Sequence, residues 1–341
     1  MPEYALLLSP SANRVYAEAA PALTLAELEV LGAGVLGSGL EGARVTRMGS
    51  VDYLVFDAPS FDGRTQAVLS NLSTAFALFA LEGGRLTPLE LRRLDRFDSD
   101  LLSIQRYAGK TNETFTKLLL NVTLASTVFA PDLAGRRFTV LDPLCGRGTT
   151  LNQALMYGFS AAGVELDRKD FEAYAQFIQR WLKDKRLKHR AQLGHVKGHP
   201  RLSLDVGLDR TSFKEGQALH VNVVNADTRE TGAVFPPRSF DVVVTDAPYG
   251  VQHGATAGAR AALSRSPLEL VAEAAPVWRE ALRPGGALGI AWNTHVAKRE
   301  ALCEVLARSG LTPCDAPAYH RFRHRVDQSI LRDVVVARRE A

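Results

Sequence analysis

Apolar and polar positions alternate along this chain with two different periods. Tyr4 to Ser9 (YALLLS) is a short apolar run and reads as a first strand. After Pro21 the period lengthens: Leu23, Leu25, Leu28, Val30 and Leu31 recur at helical spacing, predicting a helix from Leu23 to Val35. Ala43 to Met48 and Asp52 to Phe56 read as strands around a Gly49-Ser50 turn, Thr65 to Leu81 as a helix, and Arg85 to Leu91 as a last strand. The order β-α-β-β-α-β predicts a ferredoxin-like α+β unit over residues 1–95.

The polar stretch 92–111 marks a boundary, and residues 96–341 read as a second unit. Asn112 to Val128 is an amphipathic helix with Phe115, Leu118, Leu119, Val122 and Leu124 on its apolar side. Short apolar runs then follow at Phe138–Leu141, Ala161–Leu166, Val221–Val224, Phe240–Thr245, Ala287–Trp292 and Asp333–Ala337, with helical patterns between most of them. Strands that read as continuous runs are buried on both faces, so the fold class is α/β, a doubly wound Rossmann-like sheet. The segment 183–215 is longer than a connection between strand and helix needs, and reads as an insertion.

Composition changes the picture little. At 341 residues, 46% apolar and 23% charged, the chain is globular and long enough for two units. Cys145, Cys303 and Cys314 match neither a disulfide framework nor a zinc spacing. Glu3 ahead of the first apolar run argues against a signal peptide, and no run approaches a membrane span. The expectation is a reduced, cytoplasmic protein with no membrane and no metal.

The distribution of charge says more. Residues 1–95 carry a net −4, so the remainder carries +8. Arg180 to Arg201 holds eight Lys or Arg against Asp184 alone, a candidate phosphate-binding surface. His320-Arg321-Phe322-Arg323-His324-Arg325 is a second candidate contact for a polyanion, an aromatic among cations.

The candidate chemistry centres on Val140 to Thr150, VLDPLCGRGTT. A strand ends at Asp142-Pro143, and Gly146 and Gly148 let the backbone approach a ligand closely. Thr149 and Thr150 are placed to cap the next helix. There is no G-x-x-x-x-G-K-[ST], which excludes an ATP-type phosphate loop, and the third glycine of a dinucleotide fingerprint is missing. Gly32-Ala33-Gly34-Val35-Leu36-Gly37 does match that fingerprint, yet it follows a helical pattern and precedes a strand, so a helix C-cap explains it better. Glu165 ends the second strand 23 residues after Asp142, where a carboxylate accepts from ribose hydroxyls. Asp227 follows the third strand and is placed to accept from an adenine amino group, with Ala226 offering its N–H to the ring.

DPLCGRGTT resembles the DPFCGSGTT loop of class I S-adenosyl-L-methionine methyltransferases that methylate exocyclic amines of bases. YAGKTNETFTKLLLN resembles the motif that precedes that loop, and Asp246-Ala247-Pro248-Tyr249 resembles their [DNS]-P-P-[FYW] motif. The resemblance implies S-adenosyl-L-methionine as cofactor. It would be held by Lys110, Thr111, Asp142, Leu144, Cys145, Gly146, Gly148, Thr149, Thr150, Glu165, Leu166, Ala226 and Asp227, with Lys110 pairing the cofactor carboxylate. It also implies catalysis at Asp246, Ala247, Pro248 and Tyr249. The amine lone pair is delocalised into the base, and the Asp246 carboxylate and the Ala247 carbonyl would hold its N–H groups and localise it, while Tyr249 stacks on the flipped base.

Alanine at 247, where the pattern usually has proline, tilts the expectation toward guanine N2. The chain therefore resembles the tRNA guanosine-10 N2-methyltransferase family, and the partner implied is RNA, tRNA first, with any activating subunit unknown. Ribosomal RNA guanine-N2 enzymes and DNA adenine-N6 or cytosine-N4 enzymes share these motifs. No target-recognition domain follows residue 341, which weighs against DNA, and keeping both Asp246 and Glu165 weighs against a non-catalytic RNA-binding module.

Overall fold

The structure, a computed structural model, describes residues 2–11, 13–37, 40–58, 61–107, 109–248 and 267–341. The first unit runs β1 (Glu3–Leu8), α1 (Arg14–Leu31), β2 (Glu41–Met48), β3 (Val51–Asp57), α2 (Gly63–Ser70), β4 (Ala75–Glu82) and β5 (Arg85–Leu89). Its sheet is antiparallel with order β2-β3-β1-β4-β5, the ferredoxin-like arrangement with one strand added at the edge. The helix expected over Thr65–Leu81 is instead a helix that stops at Ser70 and a strand that starts at Ala75. The Ala-rich AFALFALE has helical propensity, but pairing with β1 along its length decides the outcome.

Helix α1 begins well before Leu23 and runs through Pro21. Burial of Tyr16 and Ala20, each 4% exposed, rewards the extra turns. With its continuation to Leu36 it is long and apolar enough to cross a membrane, contrary to the expectation from sequence, but 56% of that apolar window is buried inside the protein. The Gly32–Leu36 segment is a π-helical turn, and a Cβ on Gly34 would lie 2.0 Å from the Ala125 carbonyl oxygen. These glycines serve close packing on a neighbouring helix, not a dinucleotide.

The second unit opens with α3 (Asp100–Ser103) and α4 (Glu113–Ala125). It continues with β6 (Thr139–Asp142), α5 (Thr149–Met156), β7 (Ser160–Glu165), α6 (Arg168–Asp184), β8 (His189–Val196), β9 (His199–Val206), α7 (Arg210–Lys214), β10 (Leu219–Asn225), α8 (Thr231–Val234) and β11 (Phe240–Asp246). After the undescribed segment come α9 (Pro267–Ala281), β12 (Leu282–Asn293), α10 (Arg299–Arg308), β13 (Thr312–Pro313), β14 (His324–Arg325) and β15 (Leu331–Arg338). The ten-stranded sheet has order β13-β15-β12-β11-β6-β7-β10-β9-β8, with β14 beside β15. Strands β10, β7, β6, β11 and β12 are parallel, and β15 returns antiparallel on β12. This is a doubly wound α/β sheet, and its order reverses between β6 and β11.

The period of two sorts side chains to the two faces. On β11, Val242 and Val244 enter the core layer shared with α4, while Val243 enters the layer beneath α9 and α10. The first layer is continuous with the N-terminal unit: Leu6, Leu23 and Leu54 belong to the same cluster as Leu118 and Val140. A buried polar link crosses the same junction. Glu27, fully buried, accepts from Asn121 Nδ2 at 2.7 Å and from the Ser73 amide at 3.0 Å, and Tyr157 donates to Asn121 Oδ1 at 2.9 Å.

The basic insertion is a hairpin, β8 and β9, that extends the sheet beyond β10. Lys197 and Gly198 turn it with φ of 51° and 88°. Part of its charge is spent internally: Lys185 pairs with Asp98 at 2.8 Å and Asp100 at 2.6 Å, and Arg201 bonds Asn222. Lys183, Arg186, Lys188, Arg190 and Lys197 are exposed. The His320–Arg325 cluster also divides. Phe322 is fully buried and His324 is 5% exposed, so the phenyl ring is not presented there for stacking, while His320, Arg323 and Arg325 face out.

Candidate active site

The carboxyl ends of β6, β7, β10 and β11 bring most of the expected residues to one crevice, where ligands bind in open α/β sheets. The loop after β6 is held from below: the Cys145 amide donates to the Val164 carbonyl at 3.0 Å and the Gly148 amide to the Cys145 carbonyl at 2.8 Å. Gly148 has φ 78°, and a Cβ there would stand 2.2 Å from the Tyr174 ring. Gly146 differs. Its φ is also positive, at 51°, but a Cβ would meet no described atom within 4 Å, so its outer side is open to a ligand.

Gly148 is the N-cap of α5, and no side chain caps that helix, contrary to the expectation for Thr149 and Thr150. Thr149 Oγ1 lies 3.1 Å from the Tyr107 hydroxyl, and the hydroxyl of Thr150 bonds the Asp142 carboxylate. Asp142 is 3% exposed; burial and the nearby Asp246 push its carboxyl up to about 6. Leu144 packs on the core layer under α9, and burial raises the Cys145 thiol well above its usual range, so both act as walls.

Glu165 ends β7 with each oxygen on a backbone donor: Gly146 N to Oε2 at 2.8 Å, Asp167 N to Oε1 at 2.6 Å. Burial outweighs these bonds, and its carboxyl is pushed up to about 7. Leu166 beside it is 46% exposed, an apolar surface with its side chain in the open.

Three expected roles do not fit the geometry. Lys110 donates to the carbonyls of Leu102 at 2.6 Å and Gln105 at 2.9 Å and pairs with Glu113, so its three donors are taken and no cofactor carboxylate is left for it. Ala226 donates its N–H to the Glu165 carbonyl at 3.1 Å, which removes it as a donor to a ring. Asp227 closes a capping box with Glu230, and Arg229 grips its carboxylate at 2.8 and 2.5 Å. Capping, not an adenine contact, is the work its geometry shows.

Asp246 stands across the crevice at the end of β11. Thr111 donates to its Oδ2 at 2.7 Å, and Arg332 lies 3.4 Å from the same oxygen. Thr111 thus meets the acid rather than a cofactor. Arg332, 4% exposed, sits 4.3 Å from the Phe115 ring centroid. Sequence reasoning missed it, although a charged Arg332-Asp333 pair opening an apolar strand signals a buried partner. It also passed over Tyr107, whose ring carries the Arg147 guanidinium at 4.8 Å. The Ala247 amide donates to the Ala291 carbonyl at 2.8 Å, a bond that proline at this position would forfeit. Pro248 lines a small apolar cavity with Trp292 and Leu302. Tyr249 lies outside the described residues. Among the described residues, no three His, Cys, Asp or Glu side chains converge as a metal site.

No protein-family model matches the chain, and no curated protein matches it. Solved structures similar to it include a Burkholderia thailandensis 1,6-didemethyltoxoflavin-N1-methyltransferase with bound S-adenosylhomocysteine, at 16% identity and TM-score 0.39, covering 67% of this chain and 80% of that one. A 16S rRNA N2 methyltransferase of T. thermophilus, in complex with AdoMet and guanosine, matches at 19% identity and TM-score 0.39, covering 88% of this chain and 59% of that one. A TehB-like SAM-dependent methyltransferase of Corynebacterium glutamicum matches at 16% identity and TM-score 0.35, covering 61% of this chain and 84% of that one.

Proposed function

We propose that this chain is an S-adenosyl-L-methionine-dependent methyltransferase acting on the N2 amine of guanosine in RNA, with tRNA the leading substrate. One observation carries the reading: Asp246-Ala247-Pro248 stands at the end of β11 and the Gly146–Gly148 turn follows its neighbour β6, at the carboxyl ends of the two strands where strand order reverses.

The residues present fit the ribose of the cofactor and an apolar face of its base. Gly146 leaves open space, Leu166 offers an exposed apolar surface, and each Glu165 oxygen keeps a lone pair for a ribose hydroxyl. When bound, the cofactor supplies an electrophilic methyl carbon on a sulfonium.

The rest of the chemistry belongs to Asp246. Thr111 and Arg332 both meet Oδ2 and fix how the carboxylate is turned. Accepting an N–H from the amine localises the nitrogen lone pair toward the methyl carbon. With the cofactor bound, its methyl would pass to that nitrogen and leave the sulfur neutral, and Asp246 would hold the proton that the amine sheds. Holding amine and methyl in line supplies most of the rate. Support for guanine comes from Ala247, whose N–H ties the motif to β12 in a way the adenine-type proline motif does not. Support for RNA comes from the exposed cations of the β8–β9 hairpin and of Arg323 and Arg325.

Mass spectrometry of nucleosides from total RNA and DNA of a strain lacking this chain tests the proposal. Loss of N2-methylguanosine from RNA is the expected result. Loss of N6-methyladenosine, or a change confined to DNA, would refute it.

A further inference from the structure

Strand β10 ends at Asn225, which stands opposite Glu165 in the parallel pairing with β7. Its side chain reaches past the end of β7, where Nδ2 donates to the Glu165 carbonyl at 2.8 Å and to the Leu166 carbonyl at 3.0 Å. The Ala226 amide adds a third bond, to the Glu165 carbonyl at 3.1 Å. The turn that carries the ribose acid and the exposed Leu166 is thereby fastened to the end of β10.

The same bonds fix which way the Asn225 amide is turned. Reversed, it would set Oδ1 against two carbonyl oxygens, acceptor against acceptor. Nδ2 therefore faces the backbone and Oδ1 faces away from it. Among the described residues no donor meets Oδ1, and the oxygen is not sealed in the interior. Beside it on the same turn stands the Leu166 side chain, 46% exposed. A fixed acceptor next to an apolar surface suits a flat heterocycle that carries an N–H on its edge.

The crevice has a second acceptor nearby, Asp227, but that carboxylate is already engaged. Arg229 takes Oδ1 through its amide at 2.9 Å and its Nε at 2.8 Å, and Oδ2 through its guanidinium at 2.5 Å. We infer that Asn225 is the residue that reads the adenine of the cofactor: Oδ1 accepts from the exocyclic amine while Leu166 covers a face of the ring. The inference rests on the cofactor reading for the ligand, and on the bonds of Asn225 itself for the acceptor. A base with a carbonyl in place of the amine would set oxygen against oxygen, and the site would reject it.

Calorimetry on the full chain with two ligands tests this. S-adenosyl-L-homocysteine carries the amine, and S-inosyl-L-homocysteine carries a carbonyl at the same carbon. The wild type should bind the adenosyl ligand at least about tenfold tighter, the worth of one bond made against one acceptor left facing another. Asn225→Ala should weaken the adenosyl ligand about tenfold more than the inosyl ligand, so that the preference falls toward one. Asn225→Ser, which keeps a small polar side chain without the amide, is the second variant and should lose the preference too. Asp227→Ala should keep it. Thermal melts on the same proteins show that each is folded at the temperature of the titration.

The ratio separates reading the base from merely holding the turn. A loosened turn would weaken both ligands alike, so a ratio unchanged in both Asn225 variants would overturn the inference. Equal affinity of the wild type for the two ligands would overturn it as well. So would a preference lost in Asp227→Ala and kept in the Asn225 variants, which gives the adenine to Asp227. A wild type that binds neither ligand would refute the cofactor reading itself, and the inference with it.

Discussion

Strand β11 begins and ends with an aspartate, and the two stand in opposite settings. Asp241, at the amino end, is 1% exposed and spans the foot of the sheet. It accepts from the Thr139 amide at 2.8 Å, from Arg136 at 2.6 Å and from Arg283 at 2.8 Å. Burial alone would raise its carboxyl, but these bonds outweigh burial and hold it below its usual value of 3.8. Asp246, at the carboxyl end, meets a threonine and one buried arginine beside a cleft and the glycine loop. The lesson is a division of labour along one strand. The foot of β11 is closed and saturated with hydrogen bonds, and its head is where we propose that the substrate amine meets the chain.

The sharpest way to break this comparison is to truncate both residues. Asp241→Ala should cost about 1–3 kcal/mol of stability, because the Thr139 amide loses its acceptor and two half-buried guanidinium groups lose their carboxylate. Chemical denaturation measures it. The sign with pH follows from the lowered value: Asp241 contributes stability above 3.8 and loses it as pH falls through its folded pKa. The variant should therefore lack this part of the wild type's acid sensitivity. Asp246→Ala should leave cofactor affinity nearly unchanged and raise the barrier to methyl transfer by about 2–4 kcal/mol, seen in kcat, and it should also cost stability because it takes the carboxylate from beside the buried Arg332 guanidinium. A kcat unchanged in Asp246→Ala, or lowered as much by Asp241→Ala in the folded protein, would erase the distinction.

Glu165 sharpens the comparison, since it meets backbone amides where Asp241 meets guanidinium groups. Glu165→Ala should weaken S-adenosyl-L-methionine binding by about 1.5–3 kcal/mol in calorimetry. In the wild type, affinity should be flat above pH 7 and fall as pH drops below about 7, because the ribose hydroxyls need the ionised carboxylate. The variant should lose that dependence. In the unliganded protein the raised pKa works the other way. The stability it contributes is complete below 4.5 and is lost as pH rises through about 7.

The smallest effect belongs to the hairpin. Neutralising Lys188, Arg190 and Lys197 should lower the salt slope of RNA binding by about two units and leave the cofactor untouched. Lys185→Ala should act differently, through the contacts to Asp98 and Asp100 that it loses. A slope unchanged by the three neutral substitutions would mark the hairpin as ordinary solvated surface.

The parallel core was legible in the sequence because strands covered on both faces are continuous apolar runs, as FDVVVT shows. The glycine loop and the acid at the end of β11 were legible because their chemistry is local. What stayed hidden depended on partners far along the chain. AFALFALE is a strand because β1 lies beside it, and α1 crosses Pro21 because its first turns are buried. Charged side chains on β8 and β9 hid a hairpin that the Lys197-Gly198 turn could have signalled. Lys110 and Asp227 look like ligand residues in sequence, and only the fold shows the carbonyls and the guanidinium that occupy them. Arg332 is separated by 86 residues from the acid it holds, a pairing that local pattern does not reveal.

The central claim is methyl transfer to an exocyclic amine directed by Asp246. The most direct measurement incubates the protein with tritiated S-adenosyl-L-methionine and unmodified tRNA, then digests the product to nucleosides and separates them. The account predicts label in N2-methylguanosine, present with the wild type and reduced by about 10²–10³ with Asp246→Ala. Label in N6-methyladenosine, label in DNA in preference to RNA, or equal label from the Asp246→Ala variant would contradict it.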